Sequence, residues 1–424
     1  MIAEIIAAGS EMLTPFRQDT NSLYLTGRLN ELGVSVAFKT IVGDNLDHLT
    51  GAARVALGRA DIVIFSGGLG PTEDDMTREA ASAALGVGLR RDAEILTAMY
   101  KRFALRRMTM PENNARQADV IEGAEVLPNA NGSAPGQYID TVVGGHRKIV
   151  ILLPGPPKEL QPMYEAECRA RLVETLPERH IAKRMLRMAL MPESQVDART
   201  SPIYKQYADV ETTILAGSAE IQLHFFCAKP TEEEAQARVD ELAERVEQEM
   251  GDAVFSSNGE TLEEVVLLML GLRQMTLAAA ESCTGGLLAA RLTAVPGSSR
   301  YFLGGAVVYA DRLKTTFAEV SEEIVRTEGP VSEAVARALA EGIRRRTGAS
   351  VGVGITGIAG PGGGAPGPDE GKPIGLVYVG ISFGDAAGAT TVTELNISGD
   401  RERIRWWASQ HALELVRRGL IERM

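Results

Sequence analysis

The sequence is poor in cysteine, in unbroken apolar stretches and in positive charge, and each shortage excludes something. Its three cysteines, Cys168, Cys227 and Cys283, stand far apart with no paired spacing. Neither a zinc site nor a disulfide framework is indicated, and a reducing cytoplasm is the expected compartment. No apolar run approaches the roughly 18 residues of a membrane span. The opening MIAEIIAAG lacks a basic leader and is too short for a signal sequence, so it reads as a first strand. The formal net charge of -12 argues against broad nucleic-acid binding, because an acidic surface repels phosphates. The basic clusters at residues 101–107 and 401–405 read as solvated helix faces. The five histidines, His48, His146, His180, His224 and His411, show no pairing that would build a Ser-His-Asp triad.

What is present has the balance of a globular protein. With 45% hydrophobic and 24% charged residues, a disordered or collagen-like chain is excluded. At 424 residues the chain exceeds one ordinary domain, and two or three units are expected. Apolar runs at 2–8, 34–41 and 62–65 alternate with helical spacing at 22–32 and 46–59, the order of a parallel sheet covered by helices. KIVILLPGPPKEL repeats the theme, with a strand ending at Leu153 and prolines where a helix can start. The texture then changes, with strand-like runs at 184–191, 210–215 and 220–228. They lead into a helix that Thr231 and Glu234 can open as a capping box. Beyond residue 258 strand and helix alternate again. Strands are expected around TLAAAES, YFLGGAVVYA, SVGVGIT, 376–383 and 389–397, with helices at 332–347 and from about Asp400. GPGGGAPGPDEG is expected to be a loop.

Two places carry candidate chemistry. In SGGLGPTEDDMTRE, at 66–79, Gly67, Gly68 and Gly70 permit close approach of a ligand, and a helix expected from near Asp75 aims N–H groups at the same spot. These features suit a phosphate. The adjacent carboxylates Asp74 and Asp75 would repel one unless a divalent metal lay between. Alternatively, Asp74 caps the helix and the glycines only make a tight turn.

In AAAESCTGG, Ser282 is placed at a strand end just ahead of a helix, where a hydroxyl can act as nucleophile and N–H groups can meet an oxyanion. A serine there can equally be a helix cap. The stretch is not a G-x-S-x-G elbow. Lysine is the other base that serine can use, and VVYADRLK offers Lys314 with Tyr309 nearby. A free lysine is neutral only about once in 2500 molecules at pH 7, so its environment must supply about 4 to 5 kcal/mol for it to serve as a base. GVGITG, at 352–357, matches the bare dinucleotide pattern, but the IAGPGGG after it cannot propagate a helix. GKP at 371–373 lacks the serine or threonine of a P-loop.

GGLGPTEDDMT, VGDN at 42–45, DTNS at 19–22, LLPGPPKE at 152–159, ESCTGG, VVYADRLK and GITGIAGPGGG together resemble the CinA family, in order and over the whole chain. The resemblance implies an α/β protein of three parts. A three-layer αβα molybdopterin-binding-like domain would span 1–172, a small α+β KH-type domain 173–257, and a three-layer α/β CinA domain 258–424. It implies hydrolysis of ADP-ribose to AMP and ribose 5-phosphate in the first domain, with Mg²⁺ or Co²⁺ and with K⁺. Asp44 and Asp75 would be the functional acids, Asp74 and Asp19 further candidates, and Asp44, Asp74 and Asp75 the metal ligands. Gly67, Gly68, Gly70 and Thr72 would meet the substrate. The loop TPFRQ at 14–18 departs from the short aliphatic and glycine turn of many members.

The last domain is similar to nicotinamide-mononucleotide amidohydrolase. Ser282 and Lys314 would be the catalytic pair and Tyr309 a group orienting the lysine, with no cofactor. Lys314 could instead stay charged and bind the nucleotide phosphate. Thr284, Gly285, Thr356, Gly357 and Gly360 would hold the mononucleotide. The middle part has no G-x-x-G loop around ILAGSAE, so a spacer or dimer-forming role is expected of it in place of RNA binding. A homodimer acting on small nucleotides, without nucleic-acid or membrane partners, is implied. The alternatives are a non-catalytic competence- and damage-associated protein working through a protein partner, and, by fold analogy alone, a molybdopterin-handling enzyme.

Overall fold

The computed structural model describes residues 1–105, 107–176, 180–217, 219–361, 369–384 and 390–423. The chain separates into two compact units, Met1–Ile181 with Ala228–Ala235, and Ala182–Cys227 with Gln236–Met424.

The first unit is built on a six-stranded sheet in the order Ser35–Val42, Ile2–Ala8, Ile62–Ser66, His146–Leu153, Gly136–Val143, Glu125–Leu127. The first four strands are parallel and the last two antiparallel. The strand Ile62–Ser66 is buried throughout because both of its faces are covered. Ile62 and Ile64 pack on one side with Leu25 and Leu29 of the helix Thr20–Asn30. Val63 and Phe65 pack on the other with Ala53 and Leu57 of the helix Leu46–Arg59. The result is three layers. Side-chain caps fix the helix starts: Asp19 accepts from Ser22 N and Asn45 from His48 N. The helix after the glycine turn begins at Thr77, two residues later than the sequence suggests, because Thr72 to Asp75 closes a turn of its own with Asp75 N donating to Thr72 O. Asp74 is therefore not its cap. The helix Arg169–Thr175 runs past residue 172.

A four-stranded sheet, most of it in the second unit, runs Val210–Gly217, Glu220–Lys229, His180–Ala189, Val254–Ser256. The helix Glu232–Met250 turns Ala235, Val239, Leu242 and Val246 inward, and Thr231 Oγ1 accepts from Glu234 N at 3.2 Å. A five-stranded sheet comes next in the order Phe302–Val307, Leu277–Glu281, Val351–Gly357, Leu376–Phe383, Thr391–Asn396, three parallel strands and then two antiparallel. Its strands alternate sides: Leu277 and Ala279 join the core with Ile404, Ala408 and Leu413 of the helix Arg401–Ile421. Ala278 and Ala280 join Val335, Leu339 and Ile343 of the helix Glu333–Thr347. GVGITG lies wholly within the strand Val351–Gly357. Residues 362–368 of the glycine-proline loop, and Ala389 of the expected last strand, lie outside the described residues. Among the described residues no helix is long and apolar enough to cross a membrane.

Candidate active sites

Both chemical motifs occupy the same position in two different sheets. Each lies at the carboxyl end of an inner parallel strand whose own connection leaves to the opposite side of the sheet from that of a neighbouring parallel strand, the arrangement at which a crevice can open.

In the first unit the crevice is a cleft of about 660 Å³ bounded by Gly67, Gly68 and Gly70, the DTNS segment and the PGPP turn. Gly67 has φ +98°, and a Cβ there would stand 2.5 Å from Ala8 O, so no other residue fits. Asn21 ties the segments together, its Nδ2 donating to Ser66 Oγ at 2.9 Å and to Gly155 O at 2.7 Å. Asp75 is the organiser of the turn: Oδ1 accepts from Gly70 N at 2.8 Å, and Oδ2 accepts from Thr72 N at 2.9 Å and from the Thr72 hydroxyl. Both oxygens of this expected metal ligand are thus engaged by the loop itself. Asp74 is exposed at the mouth. Asp44 exchanges two bonds with Ser10, its Oδ2 accepting from Ser10 N at 2.8 Å and its N–H donating to Ser10 Oγ at 2.9 Å.

Six carboxylates line the cleft, those of Glu11, Asp19, Asp44, Asp74, Asp75 and Glu159, against the single guanidinium of Arg17 among the described residues. Among those residues, no three Asp, Glu, His or Cys side chains come together to hold a metal unaided. The donor set fits an ion of the Mg²⁺ kind that takes one or two carboxylates and completes its shell with water and substrate phosphate oxygens. It does not fit a resident, protein-only cage.

In the second unit Ser282 N donates to Ile355 O at 2.9 Å, which pins the end of one strand to its neighbour. The short helix Leu287–Thr293 starts after Gly286, whose φ of +91° sets it back from the serine. Its free N–H groups are met by Glu281: the buried carboxylate accepts from Gly286 at 3.1 Å, Leu288 at 3.0 Å and Ala289 at 2.8 Å. Ser282 is therefore not the cap. Its hydroxyl has no hydrogen-bond partner among the described residues. Burial pushes the neighbouring Cys283 thiol up to about 12, so this thiol stays protonated and is a poor nucleophile.

Lys314, on the helix Asp311–Ala318, is 2% exposed, with Nζ 2.8 Å from Asp311 Oδ1. Tyr309 makes no hydrogen bond to it among the described residues; the phenol is 59% exposed and accepts from Arg401 Nη2 at 3.1 Å. Thr356 is buried and donates to Pro330 O at 2.7 Å, so its hydroxyl serves the fold. Thr284 is buried too, and its hydroxyl has no partner among the described residues. Gly285 lies close to Arg405, while Gly360 lies against Arg401, to which an added Cβ would come within 3.5 Å. Gly357 ends its strand, backed by Val377.

The residues that sequence reasoning passed over are these two arginines, read as part of a solvated face. Arg405 donates to Thr284 O from Nη2 at 2.7 Å and from Nε at 3.2 Å. With Arg401 on Tyr309, the pair spans the serine turn, the tyrosine and the glycine loop. Their spacing of four, just after the capping Asp400, puts both on one helix face and was the available signal. Two guanidiniums over a turn of this kind suit a phosphate.

Three family models match successive parts of the chain. Residues 4–174 match a probable molybdopterin binding domain, 183–256 the damage-inducible protein CinA KH domain, and 259–420 the CinA C-terminal domain. A CinA-like protein of Acidobacterium capsulatum is 58% identical over 99% of this chain and 100% of its own length. A putative competence-damage inducible protein of Caldicellulosiruptor bescii is 39% identical over 100% of both. A solved CinA structure from Thermoplasma acidophilum, itself described as of unknown function, is 34% identical over 41% of this chain and 99% of its own, with a TM-score of 0.37. Identity along the full length, three matching domains and the two motif-bearing sheets make this chain a member of the CinA family.

Proposed function

We propose that the protein is a bifunctional hydrolase of pyridine-nucleotide fragments. The C-terminal site deamidates nicotinamide mononucleotide and the N-terminal site splits ADP-ribose. The observation that carries the reading is the division of work at the serine turn: Glu281 caps the helix, so the Ser282 hydroxyl is left unengaged in a turn that the Arg405 guanidinium grips through Thr284 O.

In the deamidation, Ser282 Oγ adds to the carboxamide carbon as its proton passes to the Lys314 amine. For this step Lys314 must part from Asp311, whose Oδ1 stands 2.8 Å from its Nζ. The C–N bond then breaks, Lys314 returns the proton to the departing nitrogen, and ammonia leaves an ester on Ser282. Water adds to the ester, and its proton goes by way of Lys314 to Oγ as nicotinate mononucleotide departs. Gly285, Gly286, Leu288 and Ala289 use their N–H groups inside the turn. Those four N–H groups are therefore not free to meet the oxyanion. Arg401 and Arg405 hold the phosphate.

In the first unit, Asp44 and Asp74 would hold the divalent ion, Asp75 the shape of the turn, and Gly67 and Gly68 the close approach to the diphosphate. A bound Mg²⁺ or Co²⁺, aided by K⁺, supplies charge neutralisation and a more acidic water. Water adds to phosphorus and the bond to the other phosphate's bridging oxygen breaks, giving AMP and ribose 5-phosphate. The decisive test is ammonia release from nicotinamide mononucleotide by the intact protein and by Ser282→Ala. Release that vanishes in the variant supports the reading; no release from the intact protein sinks it.

A further inference from the structure

Arg78 is fully buried directly behind the glycine turn of the first unit. Its Nη1 donates to Leu69 O at 2.8 Å and its Nη2 to Gly70 O at 3.0 Å, while Nε has no partner among the described residues. Leu69 and Gly70 both line the cleft. A buried guanidinium normally has a carboxylate of its own. Here the acids nearest in charge are committed elsewhere: Glu79 to Arg116 at 2.8 Å, Asp119 to Arg91 at 2.8 Å, and Asp75 to the turn's N–H groups. Burial draws the guanidinium's pKa down, but an arginine starts so high that it keeps its charge. The cleft in front has six carboxylates and one arginine, a surface that by itself repels anions.

We propose that Arg78 is the buried counter-charge of this cleft, a positioning residue that acts through the Leu69 and Gly70 peptides and makes the turn prefer an anionic diphosphate. The inference rests on the reading of the first unit as a nucleotide-diphosphate site. A unit charge felt across roughly 10 Å at an effective dielectric near 20 amounts to a factor of about ten in affinity.

The test is titration calorimetry of the full chain in Mg²⁺ with ADP as the anionic probe and adenosine as the neutral one, for the unsubstituted protein, Arg78→Gln and Arg78→Lys. The expected result is that Arg78→Gln weakens ADP about tenfold while adenosine changes less than twofold, and that Arg78→Lys restores most of the ADP affinity. Equal loss for both ligands in Arg78→Gln would make Arg78 a prop for the turn and overturn the inference, as would no loss for either. If Arg78→Gln does not fold, Arg78→Lys decides: a fall in ADP binding with adenosine retained would overturn the inference, and a preserved preference for ADP upholds it. Failure of the unsubstituted protein to bind ADP would instead overturn the underlying reading, and the inference with it.

Discussion

Replacing Glu281 by alanine should cost the second unit much of its stability, and the size of the loss can be worked from the geometry. The carboxylate is 2% exposed and accepts three backbone N–H groups. Hydrogen bonds to a charged acceptor contribute about 1.5 kcal/mol each at the lower end of their range, so three amount to about 4.5 kcal/mol, and water entering the space left should return a little of that. A loss of about 4 kcal/mol, with a urea slope of about 2.5 kcal/mol/M, lowers the unfolding midpoint by about 1.6 M. Both tryptophans of the chain, Trp406 and Trp407, sit on the helix Arg401–Ile421, so tryptophan fluorescence tracks this unit without interference from the other. Glu281→Gln keeps the volume and one strong acceptor, and should fall about halfway. A midpoint shift of less than about 0.4 M in Glu281→Ala would refute the reasoning. The helix start would then be held by other groups, and the serine would return as its possible cap.

Two further outcomes are expected from the same structure. Asp75→Asn removes one acceptor from the glycine turn and should loosen residues 62–85 by about 1 to 3 kcal/mol, whereas Asp74→Asn should change their stability by less than about 0.5 kcal/mol; hydrogen exchange read by mass spectrometry over that segment separates the two. Burial holds His411 below the ordinary imidazole range despite Glu414, and burial with Arg187 does the same for His224. The folded form therefore binds fewer protons than the unfolded one. Their contribution is complete above about pH 6.5 and is lost as pH falls through the folded values, so the fluorescence midpoint should drop between pH 7.5 and 5.5 and drop less in His411→Gln. A midpoint that rises on acidification would contradict this.

Much of the architecture was legible because both large sheets are covered on two faces. Continuous apolar runs such as 62–65 and 376–383 mark buried strands, and serine, asparagine or aspartate marks the helix starts at Asn45, Ser332 and Asp400. The sites were legible by residue type and less so by role. Asp75 and Asp74 are adjacent in sequence, and only the folded turn shows one consumed by N–H groups and the other left at the mouth. Glu281 was passed over because a cap is sought immediately before a helix. Yet the two glycines between Ser282 and the first helical residue already require the cap to come from somewhere other than the serine. Arg78 gave no sequence signal beyond being a lone cation in an acidic stretch, since burial without a carboxylate partner is a property of the fold.

The fixing of Ser282 on both sides has a kinetic meaning. Its N–H is fastened to Ile355 in the next strand, its carbonyl accepts from Gly285 at 3.1 Å, and the residue before it is bolted to a helix start. Its backbone has given up its freedom when the chain folds, and in the proposed deamidation that entropy need not be surrendered again at every turnover. A loosened turn should therefore leave the serine chemically intact but slow, with a deficit in the activation entropy and little change in the activation enthalpy.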